Sequence, residues 1–507
     1  MKEGIIPDKI SQLRQKDAIR KILDFFDGWI YPAVYAFLAL LSSFFGLELI
    51  FYPITAAIII FCCLFGKDTK PVLVPVVLVV YSTSRLHSPQ GEKPSGFFSE
   101  SYVIAEMSVL AVLILAAFIF RMIVFRGEDN FFRKKTAFTL GIILMSLAFL
   151  LNGALFTEYK ISDLILGAAV ALSFFGLYIF FYNTLEKRSD TVKYIAYLLL
   201  LSCCVIFLQL LKALFIDGAF KDDSISKNDL LVGWGMSNNI GGMLVMFFPS
   251  CFYFAATCRK GILFYALAFV FFGGVCLTQS RASILVGGAV LVAAMVFFTF
   301  RKDVARRIFV IFNIIVVVAA AVIFIVFLDK IKEIFAVLFD RGFDDSERFF
   351  IWKSGWKNFL RAPIFGVGFY EPIAPDWSYG IPNGIFPDMY HNIFVQILAS
   401  CGAFGLIAYG VHLYELGRLA FKKLNTERIF IFIVLACIIG TSLLDNHLFH
   451  IFPAMVYSVF LLLAERSCGC EKEGSLGEDR CCEAENTEER VNTEDGAKSA
   501  AAAEKQK

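Results

Sequence analysis

The sequence predicts an all-α protein that crosses a membrane many times, and three observations lead to this fold class. Of its 507 residues, 58% are hydrophobic and only 18% are charged, whereas roughly a quarter are charged in soluble domains. The apolar residues form blocks of about 20, the length at which a helix spans a bilayer. Within lipid such a block must be helical, because the backbone has to satisfy its own hydrogen bonds. We therefore predict a polytopic transmembrane helical bundle of about 12–14 spans.

Fourteen apolar blocks are placed as spans. The third, 71–83, is short and contains two prolines, so it is either a span or a re-entrant segment. The predicted spans are 30–48, 50–66, 71–83, 101–125, 136–156, 161–184, 192–216, 236–257, 261–279, 282–300, 305–328, 389–417, 428–445 and 448–465.

Basic residues orient the bundle, because cytoplasmic connections carry an excess of Lys and Arg. With fourteen spans, the basic connections around 126–135, 187–193 and 301–307 fall on one side together with the N-terminal segment. Both termini are therefore expected in the cytoplasm, and no cleavable signal peptide is predicted. The predicted organisation is a cytoplasmic segment 1–29, transmembrane helices 30–328, a large external loop 329–388 carrying part of the active site, C-terminal transmembrane helices 389–465, and a disordered cytoplasmic tail 466–507.

Several function classes find no support in the sequence. A net charge of +2 gives no basis for a nucleic-acid partner. The chain has no Walker loop, dinucleotide fingerprint or HExxH motif, so no cofactor is predicted. Asp445, His447 and His450 could suggest a metal, but they do not share one helical face and no second cluster accompanies them, so no metal site is predicted.

The first candidate pattern is Thr278-Gln279-Ser280-Arg281-Ala282-Ser283, a polar turn inside one long apolar stretch. It places Arg281 at the start of a helix at the external membrane surface. The residue either extends toward lipid headgroups or helps to bind a phosphate together with the amides of the helix N-terminus.

The second pattern starts at Glu347-Arg348, where Trp352, Trp356 and Phe359 recur at helical spacing. One interpretation is an interfacial amphipathic helix with a tryptophan belt. The other places Arg348 above a lipid phosphate and the aromatic side chains against a sugar or an isoprenoid.

The third pattern is Asp388-Met389-Tyr390-His391-Asn392, which opens the span after the large loop. Asp388 is predicted to cap this helix, so that His391 lies in its first turn. There the helix dipole disfavours the imidazolium form, and a neutral imidazole can act as a general base. Gly402, further along, is predicted to allow close helix packing.

Taken in order, the motifs resemble the O-antigen ligase and polymerase family of bacterial envelope enzymes. The order is Ser237-Asn238-Asn239-Ile240-Gly241-Gly242, Ser280-Arg281-Ala282, Glu347-Arg348 with Trp352, Pro363-x-x-Gly366-x-Gly368, and His391-Asn392-x-x-x-Gln396 with Gly402 and Gly405. The resemblance covers about residues 230–415. Where the family has a glycine-containing stretch after the Ser-Arg pair, this chain has Ala282-Ser283, a departure that leaves the arginine in place.

The resemblance implies an integral membrane glycosyltransferase of the bacterial inner membrane. Such enzymes move a glycan from an undecaprenyl-diphosphate carrier to an acceptor hydroxyl at the outer face of the cytoplasmic membrane. The acceptor is a lipid or another glycan, according to whether the enzyme is a ligase or a polymerase. The resemblance also implies that Arg281 and Arg348 hold the diphosphate and that His391 activates the acceptor, with Asn238, Asn239, Trp352 and Asn392 contacting substrate.

The alternative class is a transporter or flippase of lipid-linked oligosaccharide. A transporter would be expected to have charged residues near the middle of the membrane, broken helices and repeated halves. Here the polar residues gather at one face and no clear repeat is present, so the sequence favours the enzyme.

Overall fold

The computed structural model shows the predicted all-α helical bundle. It describes residues 5–84, 100–125, 130–156, 159–221, 224–227, 229–301, 306–326, 346–369, 390–422 and 424–469. Most of the predicted external loop and nearly all of the predicted tail lie outside these residues. Their boundaries and their sides of the membrane therefore stay predictions.

The described helices are named α1 to α18 in chain order, with short 3₁₀ turns beside α5 and after α17. They are α1 (Ile5–Arg14), α2 (Asp17–Asp27), α3 (Ile30–Phe45), α4 (Glu48–Phe65), α5 (Leu73–Leu78), α6 (Ser101–Val124), α7 (Thr139–Leu150), α8 (Ile161–Thr184), α9 (Thr191–Phe215), α10 (Ser237–Phe247), α11 (Pro249–Thr257), α12 (Gly261–Leu277), α13 (Arg281–Phe300), α14 (Arg306–Val326), α15 (Ser346–Arg361), α16 (Ile393–Ala420), α17 (Thr426–Asp445) and α18 (Ile451–Gly469).

Many of these helices have the length and composition of membrane spans. Within the described residues, nine spans are long and apolar enough to cross a bilayer, with α10 and α11 counted together as one. A tenth results if α2 and α3, which meet at a 77° bend, form one broken span. Three shorter apolar helices, Lys70–Ser82, Thr139–Leu150 and Gly261–Leu277, occupy three more of the predicted span positions. The protein is therefore a multi-pass membrane protein.

The helices pack both with partners that are distant in sequence and with sequence neighbours. α18 packs along α8, α16 along α7, and α15 lies on α16. α10 is at the centre of the part that matters here, since it contacts α9, α12, α13 and α17. All but two of its eleven residues are buried.

Two short antiparallel hairpins lie between α9 and α10. β1 (Phe220–Lys221) pairs with β2 (Ser224–Ile225), and β3 (Leu231–Val232) pairs with β4 (Gly235–Met236). The second hairpin leads directly into α10, so it fixes where that helix begins.

α16 is interrupted at Gly402, whose φ of 66° and ψ of −161° suit glycine alone. A Cβ there would lie 2.4 Å from the Ile364 carbonyl oxygen, so the position has no room for a side chain. The segment 363–368 passes through the interruption, and the amide of Phe404 donates to the Ile364 carbonyl at 3.1 Å. Gly402 therefore breaks the helix and admits a loop, which is more than the close packing that the sequence predicted for it.

Candidate active site

The start of α16 is set by Asn392. Its side-chain oxygen accepts hydrogen bonds from the amides of Phe394 and Val395 at 2.9 and 3.1 Å. These amides would otherwise lack partners within the helix, so asparagine is a favourable cap here. The Asn392 amide nitrogen also donates to the carbonyl of Leu443 in α17, at 2.9 Å. One side chain thus begins α16 and joins it to the end of α17.

The prediction that Asp388 caps this helix is wrong, because Asn392 is the cap. His391 consequently precedes the helix and does not lie in its first turn. Its φ of 50° is in the left-handed region, where residues other than glycine are uncommon. Such backbone strain is found where surrounding contacts fix a residue in place.

His391 is held by a carboxylate from α17. Its Nδ1 lies 2.9 Å from Oδ1 of Asp445, the last residue of that helix. An ionised carboxylate only accepts, so Nδ1 carries the hydrogen, and in the neutral tautomer this leaves the lone pair on Nε2. Asp445 is 7% exposed, whereas the His391 side chain is 31% exposed. The pair therefore has a buried anion behind an imidazole that reaches the surface.

Arg348 approaches the same carboxylate from α15. Its Nη2 lies 3.9 Å from Asp445 Oδ1, and the Arg348 side chain is 31% exposed. The nearby Trp352 donates from its indole nitrogen to the carbonyl of Tyr390, at 3.1 Å. Tyr390 directly precedes His391, so Trp352 ties α15 to the residue beside the imidazole.

α15 is positioned by one buried face, in which three of the four residues are small or polar. Ile351, Ser354, Gly355 and Asn358 recur at helical spacing and are buried. A Cβ on Gly355 would lie 2.4 Å from a methyl of Val395 in α16, so the glycine permits this close approach. The predicted aromatic face of this helix is only partly used, since Trp356 is 53% exposed.

Gln396 connects the two chain segments that meet at the imidazole. Its Oε1 accepts from the Tyr390 amide at 3.0 Å and from the Asn446 side chain at 2.9 Å. Asn446 turns the chain after α17 with a left-handed φ of 53°. One buried side-chain amide therefore links the residue before His391 to the residue after Asp445.

α10 approaches this pair through Gly242 and a second histidine. A Cβ on Gly242 would lie 2.6 Å from Cε1 and Nε2 of His447. His447 is buried, and its Nε2 lies 3.8 Å from Asp445 Oδ2. Burial lowers the pKa of His447, as does nearby His391, while the Asp445 carboxylate acts in the opposite direction. The ring is accordingly neutral near pH 7.

The two candidate asparagines stand at the start of α10 and are both partly buried. The side-chain oxygen of Asn239 accepts from the Met236 amide at 3.1 Å, so it supports the beginning of the helix. Asn238 is its neighbour in this first turn.

Arg281 belongs to a turn that lies against another face of α10. A Cβ on Gly241 would lie 2.7 Å from the Thr278 hydroxyl and 2.9 Å from the Ser283 hydroxyl. The turn includes Gln279 with a φ of 54°, and exposed Arg281 is the first residue of α13. Adjacent glycines of α10 thus contact the Arg281 turn and His447.

The structure therefore brings His391 and Arg348 together through Asp445, with Trp352 and Asn392 in support. The first turn of α10 carries Asn238 and Asn239, and the turn that packs against α10 carries Arg281. These residues therefore lie at the same end of the bundle. Among the described residues, no group of three or more His, Cys, Asp or Glu side chains is arranged to hold a metal ion.

Two residues of this arrangement have roles that the sequence did not predict. In the sequence, Asp445 and His447 suggest only a possible metal site, not a contact with His391 or α10. Asp445 is 54 positions from His391 in the chain, so no local spacing indicates their contact.

Residues 264–410 match the family model described as O-antigen ligase. The resemblance drawn from the motifs is thereby confirmed. The matched segment contains five of the seven candidate residues, while Asn238 and Asn239 lie before it and Asp445 lies after it. No curated protein matches the chain.

Proposed function

Because residues 264–410 match the family model described as O-antigen ligase, we propose that the chain is an enzyme of this family and transfers a glycan from undecaprenyl diphosphate to an acceptor hydroxyl. The observation that carries the proposal is the hydrogen bond between His391 and Asp445, beside Arg348. A base that activates a nucleophile is commonly oriented by a third group, and here Asp445 would orient His391.

In the proposed reaction, the acceptor hydroxyl gives its proton to Nε2 of His391. The acceptor oxygen forms a bond to the anomeric carbon of the donor glycan. The bond from that carbon to the diphosphate breaks, and undecaprenyl diphosphate leaves with the bonding electrons. Asp445 accepts the Nδ1 hydrogen bond throughout and stabilises the imidazolium that forms.

Arg348 and Arg281 are proposed to bind the two phosphates of the donor. A guanidinium presents several donors in a fixed plane that suits phosphate oxygens, and it stays charged. Binding there would stabilise the negative charge that develops on the leaving group. Trp352 and Asn238 are proposed to contact the substrate directly, while Asn239 and Asn392 are proposed to position the helix starts that carry the site.

We place this reaction at the outer face of the bacterial inner membrane, with both termini in the cytoplasm. The orientation rests on the one-sided basic connections. Single cysteines at Asp217 and at Lys260 test it in intact cells in a cysteine-free background, since both positions are exposed. An impermeant maleimide should label the first and not the second, and the reverse pattern would contradict the orientation.

Transfer itself is tested with purified protein in proteoliposomes that contain a labelled undecaprenyl-diphosphate glycan. Lipid A core and a second lipid-linked glycan are supplied in separate reactions, and the product distinguishes a ligase from a polymerase. His391→Ala should lower the rate by roughly two to four orders of magnitude. Arg348→Lys and Arg281→Lys should also be strongly impaired, because lysine lacks the planar fork. Normal transfer by all three folded variants would refute the assignment.

A further inference from the structure

A cavity of about 460 Å³ lies outside the candidate active site. Its volume is within the roughly 300–1,000 Å³ that is usual for small-molecule sites. The described residues around it are Ser84 and residues from the end of α3, the end of α9 and the segment that contains the two hairpins. The proposed mechanism uses none of them.

The cavity is joined to the candidate active site by both hairpins. The carbonyl of Ile225, in β2, accepts from Nε2 of Gln279 at 3.2 Å, and Gln279 belongs to the Arg281 turn. A Cβ on Gly235, in β4, would lie 2.8 Å from Cβ of Asn239 in α10. Each hairpin thus lines the cavity with one strand and, through its other strand, contacts an element that carries a candidate binding residue.

The charges of the described side chains that line the cavity sum to zero. Lys212 donates to both carboxylate oxygens of Asp217, at 2.7 Å. Lys221 and Asp229 add one charge of each sign and are exposed. Among the described residues that line the cavity, two cations balance two anions, so these side chains provide no excess charge to favour a phosphate. It offers donors and acceptors together, which is what the hydroxyl groups of an uncharged sugar require.

One wall of the cavity is rigid. Gln209 is 3% exposed, and its amide nitrogen donates to the Ser43 hydroxyl at 2.8 Å and to the Tyr81 carbonyl at 2.6 Å. Its oxygen accepts from the indole nitrogen of Trp234 at 2.8 Å. Because all these groups are satisfied within the protein, the wall is preorganised and need not be ordered when a ligand binds.

An aromatic ring supplies an apolar surface beside these polar groups. Phe44 lines the cavity and is partly buried, and Nζ of Lys212 lies 5.7 Å from the centre of its ring. The carbon-bound faces of a sugar ring can pack on such a surface while its hydroxyl groups reach the charged side chains.

We propose that this cavity binds an uncharged sugar of the glycan substrate, away from the bond that is broken. This assignment rests on the proposed function, since that function supplies a glycan at this end of the bundle. The sugar belongs either to the donor or to the acceptor, and both present the same chemistry to the cavity.

Binding is tested without catalysis, by saturation-transfer NMR on the full-length protein in nanodiscs with free galactose and N-acetylglucosamine as probes. The wild type should transfer saturation to at least one of these sugars. The double variants Lys221→Ala/Asp229→Ala and Lys212→Ala/Asp217→Ala keep the net charge and should lose the signal. Lys260→Ala, an exposed lysine outside the cavity, serves as the matched control and should keep it.

Steady-state transfer then identifies the source of the sugar. The Lys221→Ala/Asp229→Ala protein should show a KM roughly tenfold higher or more for the substrate whose sugar binds here, with kcat unchanged. If the KM for the donor rises, the sugar belongs to the donor, and if the KM for the acceptor rises, it belongs to the acceptor.

The outcomes separate this proposal from the proposed function. If the wild type transfers no glycan but binds a probe sugar that the cavity variants do not bind, the cavity assignment is supported and the proposed transfer activity is contradicted. Four results would overturn the cavity assignment: no probe sugar binds, the double variants bind like the wild type, their KM values are unchanged in an active enzyme, or inorganic phosphate displaces the sugars.

Discussion

The substitution Asp445→Asn tests the central pair of the candidate site. It keeps the size of the side chain but replaces a carboxylate that only accepts by an amide that can also donate. If the amide donates to Nδ1 of His391, the ring hydrogen moves to Nε2, and that nitrogen can no longer accept a proton. The structure thus predicts that one buried atom, 2.9 Å from the imidazole, determines whether His391 can act as a base.

The expected loss of transfer rate follows from the contribution that a general base makes to catalysis. Such a base contributes about two to four orders of magnitude, which corresponds to roughly 2.7–5.4 kcal/mol of activation free energy. A second effect is electrostatic, because Arg348 lies 3.9 Å from the same carboxylate. Opposite charges at about 4 Å attract by about 4 kcal/mol at an effective dielectric constant of 20, but desolvation offsets much of this attraction. The rate should therefore fall far more than the stability.

The assay is glycan transfer in proteoliposomes, together with thermal unfolding of the same preparations. Glu415→Gln is the matched control, because Glu415 is also a buried carboxylate and accepts from the Gly141 amide at 3.0 Å, within the contact of α16 with α7. It should keep its transfer rate. An Asp445→Asn protein that folds and retains near-normal turnover would refute the role given to this pair.

Three further predictions concern the supports of the site. Asn392→Ala and Asn425→Ala each remove a helix cap and should each cost about 1 kcal/mol of stability, but only Asn392→Ala should also slow transfer. Gly242→Ala would place a Cβ 2.6 Å from the His447 ring and should reduce transfer at least about tenfold. Gly273→Ala, which has open space around it, should leave transfer unchanged. The pKa of His447 is lower in the folded state than in the unfolded state. Below about pH 6.5, His447 therefore binds a proton in the unfolded chain but not when its ring is buried. The unfolding temperature should accordingly fall as the pH decreases through this range, and a flat profile, or an equal fall in His447→Gln, would contradict this account.

The membrane helices could be predicted from the sequence because their signal is local. The predicted spans 101–125 and 161–184 correspond to helices Ser101–Val124 and Ile161–Thr184. An apolar block bounded by charged residues contains all the information that places such a helix, since the bilayer sets its length. Short or bent elements were harder to predict, because their ends depend on neighbouring helices.

The details of the site could not be predicted because they depend on contacts between distant residues. Asp388 and Asn392 are both acceptable caps in sequence, and only the bond from Asn392 to the Leu443 carbonyl shows why the later residue suits this position. Gly402 similarly has a local pattern that fits close packing. Its actual role depends on the loop at 363–368, about 35 residues earlier in the chain.

The charges at the centre of the site explain why one arginine would not suffice for the proposed donor. Asp445 and Arg348 are within 3.9 Å and have opposite charges, so this part of the site is close to neutral before a substrate binds. A diphosphate brings further negative charge, and placing it beside the buried Asp445 carboxylate would be unfavourable without another cation. The contacts of Gly241 and Gly242 put the Arg281 turn and His447 on neighbouring faces of α10. On the proposed function, Arg281 supplies the cation that the neutral Asp445–Arg348 pair lacks.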